Sequence, residues 1–125
     1  MPILIAEDNP VNQLLIREFC RAGGFPVQAV EDGEAAVRAA EEADYRLVLM
    51  DIHMPRLNGI EATRRIRAIN SHRGRVPIIA VTADVTPDTR FACHEAGMND
   101  IITKPLTLTA FLAKVKEWQA QHPNN

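Results

Sequence analysis

Short, nearly continuous apolar runs alternate along this chain with longer amphipathic segments, and that rhythm restricts the fold more than any other feature. Ile3 to Ala6, Leu47 to Met50 and Val76 to Val81 carry almost no polar interruption. Runs of this length without polar alternation are expected of strands covered on both faces, as in a parallel sheet. Val27 to Val30, opened by Pro26 and interrupted by Gln28, suits an edge strand. Ile101 to Thr103 reads as a short last strand.

The segments between have helix ends that local chemistry predicts. Asn9 precedes Pro10, a cap followed by the residue favoured at a first helical position, and Val11, Leu14, Leu15 and Phe19 are expected to form the inward face. Gly23-Gly24 ends that helix. Asp32-Gly33 opens an Ala-rich helix running to about Ala43. Asn58 with Glu61 resembles a capping box for a helix holding Ile60, Ile66 and Ile69. Thr86-Pro87 begins another helix, which Gly97 closes. Thr107 begins the last, with Leu108, Phe111, Leu112, Val115 and Trp118 as its buried side, and Gln121 to Asn125 are expected to fray.

Five strand–helix units in strict alternation predict an α/β fold, a three-layer sandwich around a parallel five-stranded sheet. The 125 residues, 1–125, are expected to form one domain, with no internal repeat or linker. Aromatic residues are only 5% of the chain, so Ile, Leu, Val and Ala must fill the core. A formal net charge of -2 gives no general signal for nucleic acid. No apolar run approaches the ~20 residues needed to cross a bilayer, and no membrane contact is expected. Met1-Pro2-Ile3-Leu4 lacks the basic stretch and long apolar segment of a secretory signal. Cys20 and Cys93 have neither metal-ligand spacing nor disulfide density, which fits reduced thiols in the cytoplasm.

Ligand groups in open α/β sheets collect beyond the carboxyl ends of the strands. Glu7 and Asp8 follow the first strand, Asp51 the third, Thr82 the fourth and Lys104-Pro105 the fifth. Each has an ordinary alternative taken singly: Asp8 or Asn9 as a helix cap, Asp51 as a turn residue, Thr82 as a strand-end hydroxyl. Together they place three carboxylates, a hydroxyl and an ammonium at one edge. Gathered carboxylates resist ionisation, and a hard divalent cation such as Mg²⁺ relieves that cost with oxygen ligands. Such a set also suits phosphoryl transfer, which needs mostly positioning and electrostatic stabilisation.

These residues stand in stretches that resemble response-regulator receiver domains. Glu7-Asp8-Asn9-Pro10-Val11-Asn12, Met50-Asp51-Ile52-His53-Met54-Pro55 with Asn58-Gly59, Val81-Thr82-Ala83 and Thr103-Lys104-Pro105 carry the resemblance, which covers essentially the whole chain. The Asp-Asn-Pro-Val-Asn and Met-Asp-x-x-Met-Pro stretches look most like receivers of hybrid histidine kinases. The resemblance implies a flavodoxin-like (βα)5 fold with strand order 2-1-3-4-5. It implies Asp51 as the phosphoacceptor, with a histidine kinase or histidine phosphotransfer protein as partner. It further implies Mg²⁺ held by Asp8, Asp51 and the backbone carbonyl of His53, with Glu7 acting through a metal-bound water. Lys104 would pair with the phosphoryl group, Thr82 would donate to it, and Lys104–Pro105 would be cis. Small Ala83 would leave room for a donor, while His53 and Asp84 would tune the lifetime of the phosphorylated state.

The implied domain promotes its own phosphorylation and dephosphorylation without being a turnover enzyme. It is expected as a monomer, either a stand-alone regulator or part of a larger hybrid kinase. One departure is Ile101, where receivers commonly carry Tyr, Phe or His three residues before the pocket lysine. It keeps open a receiver that only binds proteins, and otherwise requires a signal passed without ring rotation. A haloacid-dehalogenase-like phosphatase would need a second Asp where His53 stands, and a cap domain. A flavin or nucleotide binder would need a Gly-rich loop where Glu7 and Asp8 stand. Arg56, Arg64, Arg65, Arg67, Arg73 and Arg75, with His72, are expected to form a solvated helix face, the alternative being a docking patch for an acidic partner.

Overall fold

The computed structural model describes residues 1–121; the expected fraying of the terminus lies, beyond Gln121, outside the described residues. Strands β1 (Ile3–Ala6), β2 (Val27–Val30), β3 (Leu47–Asp51), β4 (Ile78–Thr82) and β5 (Asp100–Thr103) form one parallel sheet in the order β2-β1-β3-β4-β5. Helices α1 (Pro10–Ala22), α2 (Gly33–Glu42), α3 (Gly59–Arg67), α4 (Pro87–Ala96) and α5 (Leu108–Gln121) connect and follow them. The apolar strand runs supply both faces at once. Leu4, Val48, Met50, Ile78 and Ala80 pack against Ala36, Ala40, Ala62, Ile66 and Cys93 of α2, α3 and α4. Ile3, Ile5, Leu49, Ile79 and Val81 pack against Ile16, Cys20, Phe111 and Val115 of α1 and α5.

The predicted caps hold the helices in place. Asn9 accepts from the Val11 and Asn12 amides, Asp32 from Ala35, Asn58 from Glu61 and Thr86 from Thr89. Gly97, at φ 104°, closes α4 in the left-handed region that favours glycine. The capping box is half formed, because the Glu61 carboxylate pairs with Arg64.

Three expectations need correction. Val11 and Leu14 are 74% and 60% exposed and Leu15 is also exposed, while Ile16 and Cys20 face the core. Helix α1 has two apolar stripes, and the one pressed on β1 also lets Gln13 donate to the Glu7 and Val30 carbonyls. In α5, Leu108 is exposed rather than buried. The fourth strand begins at Ile78, because Val76-Pro77 leads out of a 3-10 helix over His72–Arg75 that the periodicity did not predict.

Within the basic run Arg56, Arg64, Arg65, His72 and Arg75 are exposed, as a solvated face requires, whereas Arg67 and Arg73 are partly buried. Arg56 pairs with Asp32, Arg64 with Glu61, and Arg73 and His72 with Asp44. Arg67 turns inward, donating to the carbonyls of Gly74, Val76 and Gly97 and to Asn99 Oδ1. Arg56, Arg67 and Arg73 therefore tie separate segments together, while Arg64 pairs within its own helix.

Candidate functional site

Chain direction alone brings the charged residues to one edge, since all five strands end on the same side. Connections leave β1 toward β2 on one side and β3 on the other, so the crevice beyond β1 and β3 is the topological switch point. Glu7 and Asp8 leave β1 there, and Asp51 is the last residue of β3. Carboxylate oxygens of Glu7, Asp8 and Asp51 all lie within 4.8 Å of one another. Lys104 Nζ reaches in from β5, 3.4 Å from Glu7 Oε1 and 3.7 Å from Asp51 Oδ1. The Lys104 N–H donates to the Thr82 carbonyl, joining the ends of β4 and β5, and the Lys104–Pro105 peptide is cis.

Burial separates the three acids. Glu7 is 1% exposed and Asp51 6%, whereas Asp8 opens to solvent. Glu7 is pushed up to about 7, first by burial and further by the Asp51 charge, against the lowering effects of the Asn9 N–H and the Lys104 ammonium. The Asn9 N–H donates to Glu7 Oε2 at 3.1 Å, so the start of α1 fixes the deepest carboxylate. Gln13 fixes the carbonyl of the same residue. Neither role was evident in the sequence, although a polar Gln13 one turn into an amphipathic helix was the available signal.

Thr82 is buried at the end of β4, one residue past Val81, the register partner of Asp51, and its hydroxyl accepts from the Asp84 N–H at 3.0 Å. Asp84 is lowered by the Thr89 hydroxyl, by the Thr86 N–H and hydroxyl, and by nearby His53, so it remains an anion at the mouth of the β4–α4 loop. His53 is exposed in the loop from β3 to α3, which the Gly59 N–H closes on the Ile52 carbonyl at 2.8 Å. A Cβ at Gly59 would stand 2.1 Å from the Asp51 carbonyl, so glycine allows α3 to start this close to the pocket. Ala83 is exposed, and Ile101 is half buried against the core that includes α4.

The donor set fits a hard divalent cation. All three side-chain groups offer oxygen, and the open Asp8 side gives a path from solvent. Formal charges of -3 from the acids and +1 from Lys104 sum to -2, which one such ion cancels. Fold and pocket together define a doubly wound α/β domain with an acidic, cation-competent site at its switch point.

Comparison with known proteins places this class. The response regulator receiver domain model matches residues 3–116, and the chain belongs to that family: it is a receiver domain of two-component phosphorelays. It is 37% identical over 118 residues to the sensor protein GacS of Pseudomonas syringae pv. syringae, covering 93% of this chain and 13% of that protein. The chain thus spans a small part of that curated relative. Among solved structures it is similar to the receiver domain of sensor histidine kinase PA1611 from Pseudomonas aeruginosa PAO1, which has a magnesium ion coordinated in its active-site cleft. That match has 44% identity and a TM-score of 0.88, covering 95% of this chain and 97% of the other. It is also similar to a structure of the Saccharomyces cerevisiae phosphotransfer protein Ypd1 with the receiver domain of Ssk1, at 32% identity and a TM-score of 0.89, covering 98% and 91%. No described helix is long and apolar enough to cross a membrane.

Proposed function

We propose that this receiver accepts a phosphoryl group from a phosphohistidine onto Asp51, with Mg²⁺, and stores it or passes it on. The observation that carries the reading is the convergence of Glu7, Asp8 and Asp51 on a single ammonium, Lys104. An Asp51 carboxylate oxygen attacks phosphorus, the bond to the imidazole nitrogen breaks, and an acyl phosphate forms on Asp51. The nitrogen keeps the bonding electron pair, and the imidazole leaves neutral because its other ring nitrogen carries a proton.

Asp8, Asp51 and the His53 carbonyl are the residues that would hold Mg²⁺, with Glu7 acting through a water. The ion, when bound, neutralises the acids and draws phosphoryl charge toward itself. Lys104 pairs with a phosphoryl oxygen, moving off Glu7. Thr82 donates its hydroxyl hydrogen to another, while its oxygen is free to keep accepting from the Asp84 N–H. With Ile101 in place of a ring, the signal passes through repacking of α4 and β5. The domain serves as a phosphorelay participant rather than a turnover enzyme.

A histidine kinase or histidine phosphotransfer protein is the partner this chemistry needs, in the cytoplasm. Exposed Val11, Leu14 and Leu15, in the helix that directly follows Glu7 and Asp8, give such a protein an apolar surface beside the pocket. The domain acts as a monomer, on its own or within a hybrid kinase. The test is transfer from a phosphorylated histidine phosphotransfer protein. Label is expected to move to this chain with Mg²⁺ and to stay on the donor with chelator or with Asp51→Asn. Equal transfer to Asp51→Asn would overturn the assignment.

A further inference from the structure

The loop between β3 and α3 carries His53, and it is in contact with a different corner of the sheet, between β2 and α2. The Leu57 N–H donates to the Pro55 carbonyl at 2.7 Å, and Arg56 between them has φ 66°. A hydrogen bond from i+2 back to i around a positive φ is a γ-turn, a rare and strained conformation for a residue with a side chain. Arg56 is the one non-glycine residue with positive φ among those described. Such a turn persists only where its surroundings over-determine it.

Two contacts do so, and both come from the β2–α2 corner. The Arg56 guanidinium reaches Asp32 Oδ2 at 2.8 Å, and the Asp32 side chain is only 11% exposed. The other Asp32 oxygen caps α2 through the Ala35 N–H at 2.8 Å. The Ala35 N–H and the guanidinium both hold the Asp32 carboxyl below its usual range, so its charge is available for the pair. Next along the chain, a Cβ on Gly33 would stand 1.9 Å from the Leu57 carbonyl oxygen, so the loop backbone lies directly on the first residue of α2. The far end of the loop is closed by the Gly59–Ile52 bond, and Met54 and Leu57 are buried. His53 is the exposed residue carried between these anchors.

We infer that Asp32 and Arg56 are positioning residues for the metal site: their pair clamps the strained loop so that the His53 carbonyl is presented toward Asp8 and Asp51. The inference rests on the receiver reading above, in which that carbonyl is a Mg²⁺ ligand. It assigns a role to the second strand's acidic corner, which does not itself reach the pocket. Neither residue touches the ion or the phosphoryl group, so their effect appears in how tightly the metal binds.

Isothermal titration of the full chain with Mg²⁺ tests this, using Asp32→Asn, Arg56→Gln and the double variant. Asparagine still caps α2, so Asp32→Asn removes the charge pair without removing the cap. Each single variant is expected to raise the Mg²⁺ Kd about three- to tenfold, below the usual effect of outer partners of metal ligands because Arg56 is largely exposed. The double variant is expected to lose no more than the worse single, and Arg56→Lys to retain part of the affinity. Phosphorylation by acetyl phosphate then returns to the wild-type rate at saturating Mg²⁺, a recovery that general loosening of the fold would not permit. Unchanged affinities in all variants, or losses that add in the double, would overturn the clamp while leaving the receiver reading intact. A wild-type chain that binds no Mg²⁺ would overturn the receiver reading itself.

Discussion

At Glu7 two requirements of the pocket conflict, because a site for a cation needs carboxylates and a core position disfavours their charge. Burial wins in the metal-free protein, and the group titrates near 7 instead of near its ordinary 4.5. The folded state therefore holds this proton more tightly than the unfolded chain does. That contribution to stability is complete below about pH 4.5 and is lost as pH rises through about 7. Glu7→Gln keeps an acceptor for the Asn9 N–H and removes the titration. Thermal unfolding of metal-free protein is expected to show a smaller fall in Tm for Glu7→Gln than for wild type between about pH 5 and about pH 8. Parallel Tm curves would mean that Glu7 ionises in the fold without cost. Added Mg²⁺ is expected to narrow the difference by stabilising the wild-type carboxylate. Lys104 shows the complementary side: its ammonium sits 3.4 Å from Glu7 and 3.7 Å from Asp51, and in the proposed function a bound cation would take over part of that neutralisation.

Helices and loops decide whether these side chains meet. Arg67, on the last turn of α3, joins that helix to the 3-10 segment, the approach to β4 and the turn after α4 through four hydrogen bonds. Arg67→Met is expected to destabilise the fold by about 2–4 kcal/mol, read as a lower urea midpoint, because carbonyls partnered by a charge lose it. Mg²⁺ affinity is expected to be little changed, since the pocket lies at the opposite ends of the strands. Elements of this kind were unevenly legible in the sequence. Strands buried on both faces were the easiest to read, as at Leu47 to Met50, where an unbroken apolar run is too short for a helix. Caps were equally plain at Asn9, Asp32, Asn58 and Thr86, where one side chain satisfies one amide. Helix α1 was misread because periodicity reveals an apolar stripe without telling which neighbour covers it. Val11, Leu14 and Leu15 satisfy the pattern for a core face and stand in solvent. The Arg56–Asp32 pair joins residues 24 apart, and no local pattern encodes a contact of that range.

For the molecule as a whole, parallel topology does the gathering: four of the five strand ends bring acids, hydroxyl and ammonium to one edge, although of these only Glu7 and Asp8 are close in sequence. The convergence of Glu7, Asp8, Asp51 and Lys104 was legible for that reason, once strand ends were identified. What the pattern could not supply was their ranking by burial, with Glu7 deep and Asp8 open. The outward stripe of α1 gives the edge a neighbouring apolar surface, on which the proposed docking can be tested apart from the chemistry. Leu14→Asp is expected to slow phosphotransfer from a histidine phosphotransfer protein by about tenfold or more, as loss of a buried apolar anchor does. Its phosphorylation by acetyl phosphate is expected to be unaffected, and equal slowing with both donors would place the lesion in the pocket instead. The most direct measurement of the central claim is intact mass after incubation with acetyl phosphate. One phosphoryl group is expected on the wild-type chain with Mg²⁺, and none with chelator or in Asp51→Asn. A modification of the same yield without metal, or one that survives Asp51→Asn, would contradict the account.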